Sequence, residues 1–198
     1  MKIVVSSYWG RPSKLTSRGL RTFDGRVESY LTAQLAIKTS IFIELLGALS
    51  FPAYAGSFRN NCYFANKIKA DLFLLYTFGK EEYTKLLYSE KCSTGKVITE
   101  YILLDANTDF VNLLGGLRAE EIKRREPRYG MVSYLSPQIP GIIVVFPMER
   151  YFLIKKYLDL VSSRFAIYFV KSLINIKAAS LPVSKGESAD EHFERTVG

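Results

Sequence analysis

Histidine and cysteine are nearly absent from this chain. Its 198 residues include one histidine, His192, and two cysteines, Cys62 and Cys92. A single histidine in a polar tail excludes a histidine-based triad or metal cluster in the body of the protein. Two cysteines make neither a disulfide framework nor a zinc pattern, so we expect a reducing, cytoplasmic location and no metal site.

Standard ligand-binding and targeting signals are also missing. There is no GxGxxG or GxxxxGK[ST] phosphate loop and no Asp-x-Asp pair. The first residues run directly into an apolar segment, without the layout of a signal peptide. Residues 129–148 carry no charge but contain three prolines, which favours strands and turns over a membrane helix. We therefore expect no membrane partner and no cofactor, and the catalytic residues, if any, stay unknown.

Composition favours a folded, basic protein. Hydrophobic residues make up 48% of the chain and charged residues 23%, enough for a full core. The formal net charge is +8, and the acidic segment 182–198 contributes −2 of it, so the remainder carries +10. This positive charge favours anionic binding partners. The alternative is that it only keeps the protein soluble.

The spacing of apolar residues predicts an α/β fold. Apolar runs alternate with helical patterns over residues 1–126, which is typical of a mostly parallel, Rossmann-like sheet covered by helices on both faces. The pattern predicts strands at 3–6, 40–49, 71–78 and 97–104, and helices at 29–38, 59–69, 80–90 and 113–126.

The last third of the chain is predicted to differ from this alternation. Residues 129–135 and 141–146 read as an antiparallel hairpin at the sheet edge, because Pro137 and Pro140 separate them. Two C-terminal helices follow, at 148–160 and 163–178. We expect one domain over 1–147, a helical extension over 148–181 and a loose tail over 182–198.

Two loops combine groups that could hold a ligand. One follows the first strand and contains Ser7, Tyr8, Trp9, Gly10 and Arg11, which offer a hydroxyl, aromatic rings, a glycine and a cation. The other follows the predicted fourth strand and contains Asp105, Asn107, Thr108 and Asp109. In an open α/β sheet, ligands bind beyond the carboxyl ends of the strands. Taken alone, each loop favours an ordinary turn or a helix cap over a binding site.

Taken in order, these segments resemble a known family over residues 1–150. Ser7-Tyr8-Trp9-Gly10-Arg11-Pro12, Phe23-Asp24-Gly25, Ser29-Tyr30-Leu31-Thr32, Gly56-Ser57-Phe58, Leu103 to Asp109 and Ser133 to Pro137 are similar to successive motifs of the CARF domain. That domain is the CRISPR-associated Rossmann fold of type III CRISPR ancillary proteins, and the likeness is to its DxTHG branch. Thr108-Asp109 stands in place of the motif's His-Gly, and the HEPN ribonuclease motif is absent.

The resemblance implies a cytoplasmic sensor in antiviral defence. Such a protein is a nucleotide-binding homodimer that holds a cyclic oligoadenylate, cyclic tetra-adenylate in this reading, and no long nucleic acid. Ser7 to Arg11 and Asp105 to Asp109 would contact this ligand.

Other functions stay open at this point. A metal-independent ring nuclease would cleave the same ligand, with Lys171 as a candidate cation. A nucleotide-sugar glycosyltransferase and a structural or interaction protein are further alternatives.

Overall fold

The computed structural model describes residues 1–7, 29–53, 58–122 and 134–180. Within them, six strands form one sheet in the order β2-β1-β3-β6-β4-β5. The strands are β1 (Lys2–Ser7), β2 (Leu49–Ala53), β3 (Leu72–Gly79), β4 (Thr84–Ser89), β5 (Leu117–Ile122) and β6 (Gly141–Pro147). The helices are α1 (Ser29–Leu45), α2 (Phe58–Ile68), α3 (Ser93–Asp105), α4 (Thr108–Leu113), a 3₁₀ turn (Met148–Arg150), α5 (Tyr151–Lys156) and α6 (Leu158–Ser180).

The sheet is mixed but mostly parallel, which confirms the predicted α/β class. Strand pairs β2-β1, β1-β3, β3-β6 and β4-β5 are parallel, and β6-β4 is antiparallel. Only residues 80–83 connect β3 to β4. Four residues are too few for a crossover to the opposite end of the sheet, so β4 must run back against β3.

Helices cover both faces of this sheet. On one face, α1, α3 and α6 bury a cluster that includes Val5, Tyr76 and Val144. On the other face, α2 and residues 135–139 cover a second cluster that includes Val4 and Phe73. Because β1, β3 and β6 are covered on both sides, their sequences are continuous apolar runs instead of alternating ones.

Asp71 joins the two ends of the described chain at the start of β3. The backbone N–H of Lys2 donates to Asp71 Oδ2 at 2.6 Å, and Lys177 Nζ on α6 lies 2.7 Å from Asp71 Oδ1. Partial burial raises the pKa of the Asp71 carboxyl, but the bonds from Lys177 and Lys2 outweigh it, so the pKa is lowered overall.

One predicted strand is a helix in the structure, and one predicted helix contains a strand. Residues 97–104, predicted as a strand, lie in α3, where Ile98 and Ile102 are buried one turn apart while Leu104 is 82% exposed. Residues 80–90, predicted as a helix, contain β4, in which adjacent Leu86 and Leu87 are buried on opposite sheet faces. Residues 97–104 are largely apolar and residues 80–90 largely polar, so composition does not distinguish the helix from the strand, whereas the periodicity of burial does.

Three further expectations need correction. The strand predicted at 40–49 is the end of α1, which closes at Gly47 in a left-handed Schellman turn (φ 82°) before β2 begins. Residues 117–122 of the helix predicted at 113–126 form β5, and residues 123–126 lie outside the described residues. The strand predicted at 141–146 does not lie at an edge, because β6 pairs with both β3 and β4.

The predicted boundary at residue 147 stays a prediction. Phe165 of α6 lies in the same cluster as the sheet residues, with its ring centroid 5.9 Å from that of Phe146. No helix among the described residues has both the length and the apolar character needed to cross a membrane.

We expect Asp71→Asn to destabilise the protein near neutral pH by less than about 1 kcal/mol, since the carboxylate is partly exposed. A lowered folded-state pKa contributes stability above the unfolded value of 3.8, and that contribution is lost as the pH falls through the folded value. The stability difference between wild type and variant should therefore shrink below pH 3.8. Urea unfolding at a series of pH values measures this difference in the free energy of unfolding. A difference that persists unchanged in acid would show that the bonds of Asp71 to Lys2 and Lys177 do not stabilise the fold through the carboxylate charge.

Candidate functional site

One edge of the sheet collects the carboxyl ends of four strands. β1, β2, β3 and β6 all end there, and the reversed strands β4 and β5 begin there. We call this the carboxyl edge. In open α/β sheets, ligands bind along such an edge.

A hydrogen-bond network fixes the start of α2 above this edge. Asn61 Nδ2 donates to Ser6 Oγ at 3.0 Å and to the carbonyl of Ala53 at 2.8 Å. Ser6 Oγ in turn donates to the same carbonyl at 3.1 Å. The network is buried, so its polar groups must be paired for the fold to be stable. It sets the position of the first turn of α2 over the ends of β1 and β2.

Five polar residues gather where β4 and β5 begin, on the same sheet face as α2. They are Glu81, Tyr83, Lys85, Arg118 and Glu120, and we call them the β4–β5 cluster. Lys85 Nζ lies 3.1 Å from Glu120 Oε2, and Tyr83 donates its hydroxyl to Glu120 Oε1 at 3.1 Å. The Arg118 guanidinium stacks on the Tyr83 ring, 3.9 Å from its centroid. Residues two apart on a strand share a face, so this alignment follows from the strand geometry.

Glu81 differs from Glu120 in having an unused oxygen. Its Oε2 is buried and accepts no hydrogen bond from the described residues. The carboxyl group lies against Gly79 of β3, where even a Cβ atom would collide with it. A carboxylate oxygen without a donor is costly to bury, so this position suits an acceptor that a ligand or water satisfies.

The lysine of the cluster is held in its charged form. Burial acts to lower the pKa of Lys85, but the hydrogen bond to Glu120 and the charges of Glu120, Tyr83 and Glu81 outweigh it, so the pKa is raised. Lys85 therefore offers fixed positive charge near the carboxyl group of Glu81, and Arg118 adds a second cation on the Tyr83 ring. Such an arrangement can bind a carbonyl or carboxylate and, through Glu81, accept a proton from water.

The described residues contain neither a metal-type cluster nor an activated thiol. No group of three His, Cys, Asp or Glu side chains in them could hold a metal ion. Cys62 is fully buried on α2, and burial raises its thiol pKa to about 12. A thiol with that pKa is not a thiolate at neutral pH.

Of the first loop predicted to bind a ligand, the structure describes only Ser7. Ser7 is the last residue of β1, is 1% exposed and lies at the carboxyl edge. Tyr8, Trp9, Gly10 and Arg11 lie outside the described residues.

The prediction that the second loop follows a strand is wrong. Asp105 is the last residue of α3, and its Oδ2 lies 2.8 Å from Lys171 Nζ on α6. Asn107 Oδ1 accepts a hydrogen bond from the backbone N–H of Phe110 at 2.9 Å and so caps α4, whose first residue is Thr108. These contacts support helix ends instead of a strand tip.

Two residues of this second loop do line a cleft. A cavity of about 430 Å³ lies between α4 and the start of α6, and its walls include Asn107, Asp109, Tyr157 and Arg164. The lining therefore contains one acidic side chain, Asp109, and one basic side chain, Arg164. The binding role predicted for Ser7 to Arg11 and Asp105 to Asp109 is untested and stays a prediction.

Sequence reasoning missed the β4–β5 cluster because it assigned residues 80–90 to a helix. With that assignment, Tyr83 and Lys85 fall on different faces. As a strand, Thr84 to Ser89 alternates, and the same alternation puts Arg118 and Glu120 on one side of β5. The spacing of two between Tyr83 and Lys85, and between Arg118 and Glu120, was the available signal.

No protein-family model and no curated protein sequence matches this chain. Solved structures do match its fold. The CwlD amidase from Clostridioides difficile, solved with the GerS lipoprotein, matches with a TM-score of 0.60 at 11% identity, over 88% of this chain and 98% of that one.

Two further solved structures extend this likeness. The N-acetylmuramyl-L-alanine amidase Ami1 from Mycobacterium smegmatis matches with a TM-score of 0.58 at 12% identity, over 90% of this chain and 96% of that one. The N-acetylmuramoyl-L-alanine amidase AmiC2 of Nostoc punctiforme matches with 0.55 at 13%, over 89% and 97%. The fold of this chain is the one that these amidases have.

This likeness overturns the resemblance to the CARF domain. The structures that match along nearly the whole chain are amidases, and the apparent DxTHG-type motif lies at a helix end instead of a strand end. Cyclic oligoadenylate as ligand, antiviral defence as role, and the ring-nuclease and glycosyltransferase alternatives are therefore wrong. The expected nucleotide-binding homodimer depended on that resemblance and loses its basis with it.

We expect Glu120→Gln to lower the pKa of Lys85, because the charge that outweighs its burial is removed. NMR titration of the Lys85 side chain measures this change. Glu121→Gln is the matched control, since Glu121 is exposed and neighbours Glu120 on the same strand. An unchanged Lys85 titration in the Glu120 variant would show that the pair does not hold the charge.

Proposed function

We propose that this chain acts on peptidoglycan and that its ligand is the N-acetylmuramoyl-L-alanine junction. The observation that carries the proposal is the fold: N-acetylmuramoyl-L-alanine amidases match it along about nine-tenths of its length and nearly all of theirs. The chemistry of the carboxyl edge agrees with such a ligand. The junction offers amide groups, the peptide that continues from it carries free carboxylates, and the β4–β5 cluster supplies cations and carboxylate acceptors.

The charge of the whole chain supports the same ligand class. The formal net charge is +8, and peptides that carry free carboxylates are anionic. A basic surface attracts an anionic polymer over distances of about a Debye length, roughly 8 Å at physiological salt.

Hydrolysis of the junction amide is a second candidate, favoured by the free oxygen of Glu81. In this reaction Glu81 takes a proton from water, and the water oxygen bonds to the amide carbon. The carbon–nitrogen bond then breaks, and the amine of L-alanine leaves with the proton. Lys85 and Arg118 would stabilise the developing oxyanion.

Three finer expectations accompany the proposal. A Rossmann-like arrangement is supported by the order β2-β1-β3 with parallel pairing. Ligand contacts by Ser7 to Arg11 and by Asp105 to Asp109 stay predictions for the new ligand class. The cytoplasmic location expected from the cysteine content also stays a prediction, which cell fractionation tests.

Binding is tested by sedimentation with purified peptidoglycan. We expect the wild type to sediment with it, and Arg118→Glu to weaken binding about tenfold, since one charge-assisted contact becomes a repulsion. Lys91→Glu is the matched control, because this exposed lysine follows β4 at the opposite edge of the sheet. A wild type that stays in the supernatant would refute the proposed ligand, and equal losses in both variants would refute the site.

Cleavage is tested by measuring peptides with a free L-alanine amine released from peptidoglycan. If Glu81 is the base, Glu81→Gln should reduce the rate at least about 100-fold. Glu82→Gln, which changes the exposed neighbouring carboxylate, should keep the wild-type rate. Binding without any release by the wild type would refute hydrolysis and leave recognition as the function.

A further inference from the structure

A second cationic group lies on α2, separate from the β4–β5 cluster. The Arg59 guanidinium lies 5.3 Å from the centroid of the Tyr63 ring and 5.2 Å from that of the Tyr134 ring. The two rings are 6.1 Å apart at an angle of 62°. We call these three residues the Arg59 platform.

The platform is exposed although it is well ordered by contacts. Tyr63 is 46% exposed and Tyr134 38%. Asn66 holds Tyr134 in place, because its Nδ2 donates to the Tyr134 carbonyl at 2.8 Å and its Oδ1 accepts from the Ser136 N–H at 2.9 Å. Aromatic rings that lie open to solvent and are fixed by the backbone lose little entropy when a ligand binds.

Arg59 has donors left over. Its Nε donates to the Tyr63 hydroxyl at 3.0 Å, which orients the guanidinium plane. A guanidinium has five N–H donors, and among the described residues the four on the two terminal nitrogens make no hydrogen bond. No ion pair within the described residues joins Arg59 to a carboxylate. The hydrogen bond from Arg59 to Tyr63 also raises the pKa of the guanidinium, so its charge is constant.

The position of the platform relates it to the carboxyl edge. Arg59 lies in the first turn of α2, two residues before Asn61, which the Ser6 network fixes above the ends of β1 and β2. The β4–β5 cluster begins three strands away in the sheet order, or about 14 Å at the usual strand spacing. A ligand longer than one sugar ring or one amino acid could contact both groups.

We propose that the Arg59 platform is a subsite for a free carboxylate of the ligand, which the guanidinium binds with two parallel hydrogen bonds. The identity of that carboxylate, the peptide part of a muramoyl-peptide, rests on the proposed function. Bidentate pairing with a planar oxyanion is the geometry that arginine provides and lysine does not. The exposed faces of Tyr63 and Tyr134 add apolar contact for the adjoining part of the ligand.

The subsite is tested with N-acetyl-L-alanine, a short acylated amino acid that carries a free carboxylate, and with N-acetyl-L-alaninamide, which lacks the charge. Binding is followed by NMR shifts of the Arg59 Nε–H group. We expect the acid to bind and the amide not to bind. Arg59→Lys should weaken binding of the acid about tenfold, since the positive charge remains but the pair of parallel N–H donors is lost. For that variant, the shifts of the Tyr63 and Tyr134 ring protons report binding.

Two variants separate orientation from charge. Tyr63→Phe keeps the ring and removes the hydroxyl that orients Arg59, so it should weaken binding less than Arg59→Lys does. Lys67→Gln removes an exposed charge elsewhere on α2 and should leave binding unchanged. Equal binding of acid and amide, or an equal loss in the Lys67 variant, would overturn the subsite.

Further arms distinguish this inference from the proposed function. Inorganic phosphate that binds Arg59 more tightly than N-acetyl-L-alanine would overturn the assignment to a carboxylate. Peptidoglycan that sediments equally with wild type and Arg59→Lys, together with no response to N-acetyl-L-alanine, would refute the subsite and leave the proposed function intact. A response of Arg59 to N-acetyl-L-alanine without binding of the protein to peptidoglycan would support the carboxylate subsite and refute the proposed function.

Discussion

Three central strands, β1, β3 and β6, have apolar side chains on both faces, and most of the described chain serves to cover them. Val4 and Val5 are adjacent and both fully buried, one under α2 and the other under α1 and α6. A strand buried on both sides has no solvent-facing positions, so charged groups occur only at its ends. This constraint concentrates the polar chemistry of the protein at the edges of the sheet.

The reversal of β4 decides which polar groups meet at the carboxyl edge. With only residues 80–83 between β3 and β4, the chain turns back, and β4 and β5 start where β3 ends. Glu81 is in that turn, and Lys85 and Glu120 face each other across two parallel strands. The reversal thus places two carboxylates and two cations beside the ends of the buried strands. The start of α2, fixed through Asn61, brings Arg59 to the same edge.

Much of the fold could be read from residue patterns, and the candidate site could not. The runs 3–6 and 71–78 are strands. Each is a short, uninterrupted run of β-branched and other apolar residues, whereas an amphipathic helix is longer and has polar residues on one face. The run 97–104 has the same apolar content but is helical, since α3 needs only one face buried, against β4, β5 and α6. Mistaking that helix for a strand placed Asp105 at a strand tip, whereas it is the last residue of a helix.

By itself, the sequence determined the α/β class, the absence of a histidine-based site in the body of the chain and the buried character of the first and third strands. These properties depend on composition and on local runs of residues. Only the tertiary structure decided the direction of β4, the pairing of Lys85 with Glu120 and the contact between Arg59 and the Tyr134 ring. Each of these joins residues that are far apart in the chain or on separate elements, and a local pattern carries no information on which elements become neighbours in space.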